Sequence, residues 1–196
     1  MPDDDPDSGT MEPVGSDSLE GWLIQLLRAR VPGYGWRELR DGFVPRATET
    51  LKHPEVLSQF SSKNQEKLTW NLAFGLGESL HADENGLEAK LALLDSCPGF
   101  FARFYGELAT YSQSCDMFWD IVISFTPAES HLRAHIFDAL TAQLAISNVY
   151  CQLSALHGFN HLQDPKCRPV IDAFLATAED PAVKEYGKIA RLFQAM

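Results

Sequence analysis

The chain has 196 residues, 45% of them hydrophobic, and sets 16 Lys and Arg against 27 Asp and Glu for a formal net charge of −11. A chain this long buries most of its apolar surface unaided, so folding requires neither disulfides nor a structural metal. The acidic balance argues against nucleic acid or an anionic membrane as partner, since both are held through clustered Lys and Arg; it favours a basic protein.

In chain order, residues 1–15, "MPDDDPDSGTMEPVG", have neither the basic start nor the apolar stretch of a secretory signal. Rich in Asp, Pro and Gly, they read as a flexible acidic tail, followed by a single all-α domain over 16–196. "SDSLEGWLIQLLRARVPG" opens with Asp17 and Glu20 at capping-box spacing. Leu19, Trp22, Leu23, Leu26 and Leu27 make its apolar stripe, and Pro32-Gly33 ends it. A loop-rich passage leads to a helix interrupted by Pro54. The next helix begins with Ser62 and Gln65 at capping-box spacing and carries Leu68, Leu72 and Leu76 on one face.

Helices are predicted at about 86–96, 98–112 and 115–125, divided by Pro98 and by the polar "YSQSCD". "FWDIVISF" is the nearest rival for a strand, but its length and helical neighbours assign it to a buried helix. Thr126, Pro127 and Glu129 then form an N-cap, N1 and N3 set for a helix over 127–145. Ser147 is placed to cap a helix over 148–161. After Asp164-Pro165 and Arg168-Pro169 come helices over 169–178 and 181–194, the last started by Asp180-Pro181. The expectation is about nine short helices in helical hairpins. They would form either a HEAT/armadillo-like right-handed array or an irregular helical bundle.

The cysteines are Cys97, Cys115, Cys151 and Cys167, with no C-x-x-C pair, and no run of about 18 apolar residues exists. The chain is expected to be cytoplasmic, with reduced thiols. The order Cys151, His157, His161, Cys167 superficially suggests a zinc site. It fails on geometry, because Cys151 lies about 120° around the helix from His157 and Cys167 lies beyond two chain breakers.

The histidines are more suggestive. Four of the six fall into two H-x-x-x-H pairs, His131/His135 and His157/His161. Residues i and i+4 share a helix face, so each pair is spaced to chelate one ion. At 100° per residue His131, His135 and Asp138 form a stripe away from the core stripe of Leu132, Ile136, Leu140 and Leu144. Tyr150, Ser154, His157 and His161 share a flank of the following helix, beside a core stripe of Val149, Leu153 and Leu156. If these two helices met with their histidine stripes facing, four histidines and Asp138 would converge on a transition metal such as zinc or iron. The competing expectation is that each ring packs and hydrogen-bonds a neighbour, and that Gly158 ends the helix and splays His161 away. Asp116 and Asp120, also at i and i+4, would do acid–base work only if buried. No phosphate loop, nucleophile elbow or H-E-x-x-H motif is present.

The segment "CQLSALHGFNHL" resembles one found in a group of uncharacterised bacterial helical proteins, of the form Cys-x-x-Ser-Ala-Leu-His-Gly-x-x-His. Cys151, Ser154, Ala155, Leu156, His157, Gly158 and His161 match it. The resemblance implies a HEAT-like fold and a bacterial, cytosolic origin, and no activity.

Two functions follow. The favoured expectation is a non-catalytic acidic protein-binding module without a cofactor, in its sharpest version an immunity protein neutralising a basic bacterial toxin. Its contacts would include Glu78, Asp83, Glu84, Asp116 and Asp120, and a homodimer is also compatible. The alternative is a helical metalloprotein or metalloenzyme using His131, His135, Asp138, His157 and His161. Enzymatic activity is not the favoured expectation, since it rests on the histidine pairs alone.

Overall fold

In a computed structural model, residues 18–29, 33, 35–82, 84–108, 110–128 and 130–194 are described. The acidic tail, Asp17, Asp83 and Glu129 lie outside them. The described residues form ten α-helices and two 3-10 turns, with no strand among them.

Helix α1 is Leu19–Arg28; its cap is Ser18, whose side chain accepts from the Gly21 amide at 3.0 Å. The passage expected to be loop-rich holds a short α2 (Trp36–Arg40), then α3 (Phe43–Lys52) and a 3-10 turn at Pro54–Gln59. Helix α4 (Ser62–His81) is capped by Ser61, one residue before the expected Ser62, and Gln65 turns back to donate to the Phe60 carbonyl at 2.9 Å.

Helix α5 (Leu87–Arg103) runs through Pro98, where two helices are expected. Proline removes one ladder bond and crowds the preceding turn. Against that, Leu93, Leu94, Cys97, Phe100 and Phe101 are all fully buried around it. Each such side chain contributes about 1.5–3 kcal/mol on burial, which outweighs one proline. A 3-10 turn at Tyr105–Glu107 follows.

Helix α6 (Gln113–Ser124) is capped by Ser112. Helix α7 (Leu132–Leu144) begins five residues after the expected Pro127. Thr126 does not cap it, because its hydroxyl turns back to donate to the Val122 carbonyl of α6 at 2.9 Å. Helix α8 (Val149–Leu162) takes Asn148 as its cap in place of Ser147; the Asn148 side-chain Oδ1 accepts from the amides of Tyr150 and Cys151. It continues through Gly158 and stops at Gln163, which has φ 52°. Helix α9 is Cys167–Thr177, and α10 is Pro181–Arg191, capped by Asp180 as expected.

The helices stack in two layers. One holds α4, α6, α8 and α10 side by side, and the other holds α3, α5 and α7, with α9 against α7. Neighbours within a layer are thus separated by one intervening helix in the chain, the pattern of a helical-repeat array. Helices α1 and α2 close the stack against α3 and α4. The layers enclose an aromatic cluster of Phe100, Phe101, Tyr105, Phe118 and Trp119. Its polar handle is satisfied: Trp119 Nε1 donates to Gln143 Oε1 at 2.7 Å, and Gln143 Nε2 donates to the Cys151 carbonyl at 2.8 Å. No helix among the described residues is long and apolar enough to cross a membrane.

Gly158 fixes how close α8 comes to its neighbours. A Cβ there would lie 2.5 Å from Leu140 Cδ2 of α7 and 2.9 Å from Trp119 Cβ of α6. Only a residue without a side chain permits this approach. It also brings the next α8 residues on that side, His157 and His161, up to α6.

Candidate metal centre

Helices α6 and α8 run in the same direction, as two ties show. Near their starts the Ser154 hydroxyl donates to the Cys115 carbonyl at 2.5 Å. Toward their ends His161 Nδ1 meets Asp120 Oδ1 at 3.1 Å. The flank of α8 that carries Tyr150, Ser154, His157 and His161 therefore faces α6, and the i, i+4 spacing of Asp120 after Asp116 places both carboxylates toward it.

Asp120, His157 and His161 come together there, each offering a ligand atom within 4.8 Å of the other two. The two imidazole centroids are 4.6 Å apart. His157 is buried, whereas Asp120 and His161 are half-buried, so the cluster sits under the surface with one side toward solvent. Ligands around a tetrahedral ion with bonds of about 2.0 Å stand about 3.3 Å apart. The separations of up to 4.8 Å are wider than that, so binding an ion would draw the three groups together.

The unused nitrogens are more informative than the spacing. Nε2 of His157 and Nε2 of His161 are both buried with no hydrogen-bond partner. Leaving one such group unsatisfied costs about 1–3 kcal/mol, so two on adjacent rings require a reason. The Nδ1 atoms are each occupied. His161 Nδ1 lies 3.1 Å from the Asp120 carboxylate. His157 Nδ1 lies 2.5 Å from the Tyr186 hydroxyl of α10. A ring whose outer nitrogen is held by a carboxylate or hydroxyl and whose inner nitrogen is bare is the usual state of a metal-ligating histidine.

Electrostatics keep the donors ready. Burial holds the His157 pKa below its ordinary value, the neighbouring His161 adds to this, and Asp116 and Asp120 oppose it. A neutral imidazole is the form that binds metal. The Tyr186 phenol is pushed up to about 12 by burial and then by Asp116, so it stays protonated at neutral pH.

The expectation that the chain needs no cofactor is corrected by this cluster: two imidazoles and a carboxylate are a transition-metal donor set. The hairpin of α7 and α8 does not build it, because the face of α8 that carries the histidines is turned to α6. His131, His135 and Asp138 of α7 take no part, and no other group of three potential ligands gathers among the described residues. Gly158 does not end α8, so His161 stays on the face of His157. Asp120, expected among the partner contacts, lies beside the two histidines. Asp116 accepts from the Tyr111 hydroxyl at 3.4 Å. Glu84 is exposed and paired with Arg40, and Glu78 is half-buried on α4. Tyr186 went unnoticed in the sequence, where no spacing ties it to the histidines.

All four cysteines are reduced and buried, none of them in the cluster. Burial raises the thiol pKa of Cys97 and Cys167, while Cys115 Sγ donates to the Tyr150 carbonyl and Cys151 Sγ to the Phe101 carbonyl. These thiols are structural. No family model, curated protein or solved structure matches the chain.

Proposed function

We propose that this protein binds one divalent first-row transition ion, of the zinc class, between α6 and α8. His157, through Nε2, His161 and Asp120 each supply one ligand atom. The observation that carries this reading is the pair of buried, unpartnered Nε2 atoms on adjacent rings beside a carboxylate. A chain of this size and core does not need metal to fold, so the ion serves function. Two histidines and one carboxylate are the protein set of sites that keep a coordination position open for water or a small ligand. The donor set supports the reading of a reactive or sensing ion in preference to a closed structural one.

The test is metal content of untagged protein by elemental mass spectrometry, followed by cobalt titration monitored by visible d–d absorption. One ion per chain is expected. His157→Ala and His161→Ala each abolish stoichiometric binding, and His131→Ala and His135→Ala leave it unchanged. A protein that purifies without metal and takes up no cobalt refutes the proposal. The polar cluster would then be purely structural, and the search would turn to basic protein partners.

A further inference from the structure

The metal centre is built from α6 and α8, yet the contact that fixes the state of His157 comes from a third element. Helix α10 is the last helix described. It packs on α8 and α9, with Val183 and Ala190 fully buried and most of its other residues exposed. Its buried anchorage consists of small side chains, Val183, Gly187 and Ala190, and its ion pairs, Arg191 with Asp172 and Lys188 with Glu185, do not reach α8. Elements at the end of a stack with few buried contacts open most readily. Tyr186 reaches across from α10 to His157, with the rings stacked at 26° and the hydroxyl 2.5 Å from Nδ1.

That hydrogen bond has two proton arrangements. In one the phenol donates to Nδ1, and the ring proton sits on Nε2, where nothing accepts it. In the other Nδ1–H donates to the phenolic oxygen and Nε2 is bare. Only the second can hold an ion on Nε2. Tyr186 accepts the hydrogen bond from Nδ1–H in that state, and without it a buried N–H would be left unpaired.

We propose that Tyr186 is the positioning residue of the metal centre, and that occupation of the centre fixes the C-terminal helix α10 onto α8. The inference rests on the metal-binding reading above. It makes α10 the metal-responsive element of the protein. Because coupling is reciprocal, the factor by which docked Tyr186 raises metal affinity is the factor by which metal favours docking of α10. Losing a hydrogen-bond partner of a ligating histidine lowers metal affinity by about 10- to 100-fold.

The experiment uses the full, untagged chain in two measurements. Cobalt affinity is compared between wild type and Tyr186→Phe. Amide hydrogen exchange is followed by mass spectrometry, with and without saturating zinc. Tyr186→Phe is expected to weaken cobalt binding about 10- to 100-fold. Zinc is expected to slow exchange across 183–191 by a similar factor in wild type and much less in Tyr186→Phe, with little change in α1.

If wild type binds one cobalt, yet Tyr186→Phe matches its affinity within about twofold and zinc leaves α10 exchange unchanged, the coupling is wrong and the metal centre stands. If wild type binds no cobalt, both fall. Should Tyr186→Phe lose its helical circular dichroism, the wild-type exchange comparison decides by itself: slowing confined to α10 supports the coupling, and no slowing overturns it.

Discussion

Replacing Gly158 with alanine adds one methyl group where α8 meets α6 and α7, and the structure fixes what it would strike. The new Cβ lies 2.5 Å from Leu140 Cδ2 and 2.9 Å from Trp119 Cβ. Carbon–carbon contact becomes favourable only near 3.5 Å, so the second gap is short by about 0.6 Å. Leu140 Cδ2 is the end of a side chain and can turn aside. Trp119 Cβ is tied to the α6 backbone, and the ring beyond it is fully buried and held by Gln143. The helices themselves must separate. Overpacking of this kind costs about 1–3 kcal/mol, against which alanine returns about 1 kcal/mol of helix propensity. The expected net loss is about 0–2 kcal/mol, read by urea unfolding of the metal-free protein. Because the shift moves α8 from α6, cobalt affinity should fall as well, although the methyl touches no ligand. Gly99→Ala is the matched control. It lies exposed within α5, and its Cβ would meet only Arg103 Nη2 at 3.7 Å, so it should stabilise by about 0.5–1 kcal/mol and leave cobalt binding unchanged. A Gly158→Ala protein as stable as wild type, with undiminished cobalt affinity, would refute the claim that this close approach assembles the centre.

Gln143→Ala removes the acceptor of Trp119 Nε1 and the donor to the Cys151 carbonyl. The Cys151 carbonyl keeps its helical bond within α8, but Trp119 Nε1 is orphaned, so stability should drop by about 1–3 kcal/mol in denaturant unfolding; a loss under about 0.5 kcal/mol would mean that water or a rotated side chain replaces that bond. The metal-free protein should also lose stability as pH falls below about 6.5. His157 has a folded pKa depressed below its ordinary 6.5, so between those two values the unfolded chain binds a proton that the native chain does not, and stability rises with pH through that window. Urea midpoints from pH 5 to 8 in chelator test this. The slope below 6.5 should flatten in His157→Gln, and an unchanged slope would assign it to other groups. His157 must be unprotonated to bind metal, so cobalt affinity should decline over the same acidic range.

Much of the architecture was legible as pattern. The apolar stripe Leu132, Ile136, Leu140, Leu144 is buried along its whole length, because a 3.6-residue period is a property of the local sequence. Misplaced boundaries share a cause. Pro98 and the Thr126–Glu129 cap signal are strong local rules, overridden by the buried residues around Pro98 and by the return of the Thr126 hydroxyl to α6. Neither neighbour can be seen from within a short stretch of chain.

The candidate centre divides along the same line. The sequence by itself determined that the chain is helical, that His157 and His161 share a face with Ser154 and Tyr150, and that Asp116 and Asp120 share one on another helix. These are consequences of helical periodicity and need no partner. Which faces meet was decided only by tertiary structure. The natural guess joins α8 to its hairpin neighbour α7 and recruits His131, His135 and Asp138. In the folded chain the histidine face of α8 turns to α6, its neighbour within the layer, and to α10 beyond, which supply Asp120 and Tyr186. The rotation of α8 about its axis is set by where Gly158 lets two other helices approach and by how the aromatic cluster fills the space between layers. Both are sums over contacts distant in sequence, which no spacing within one helix can encode.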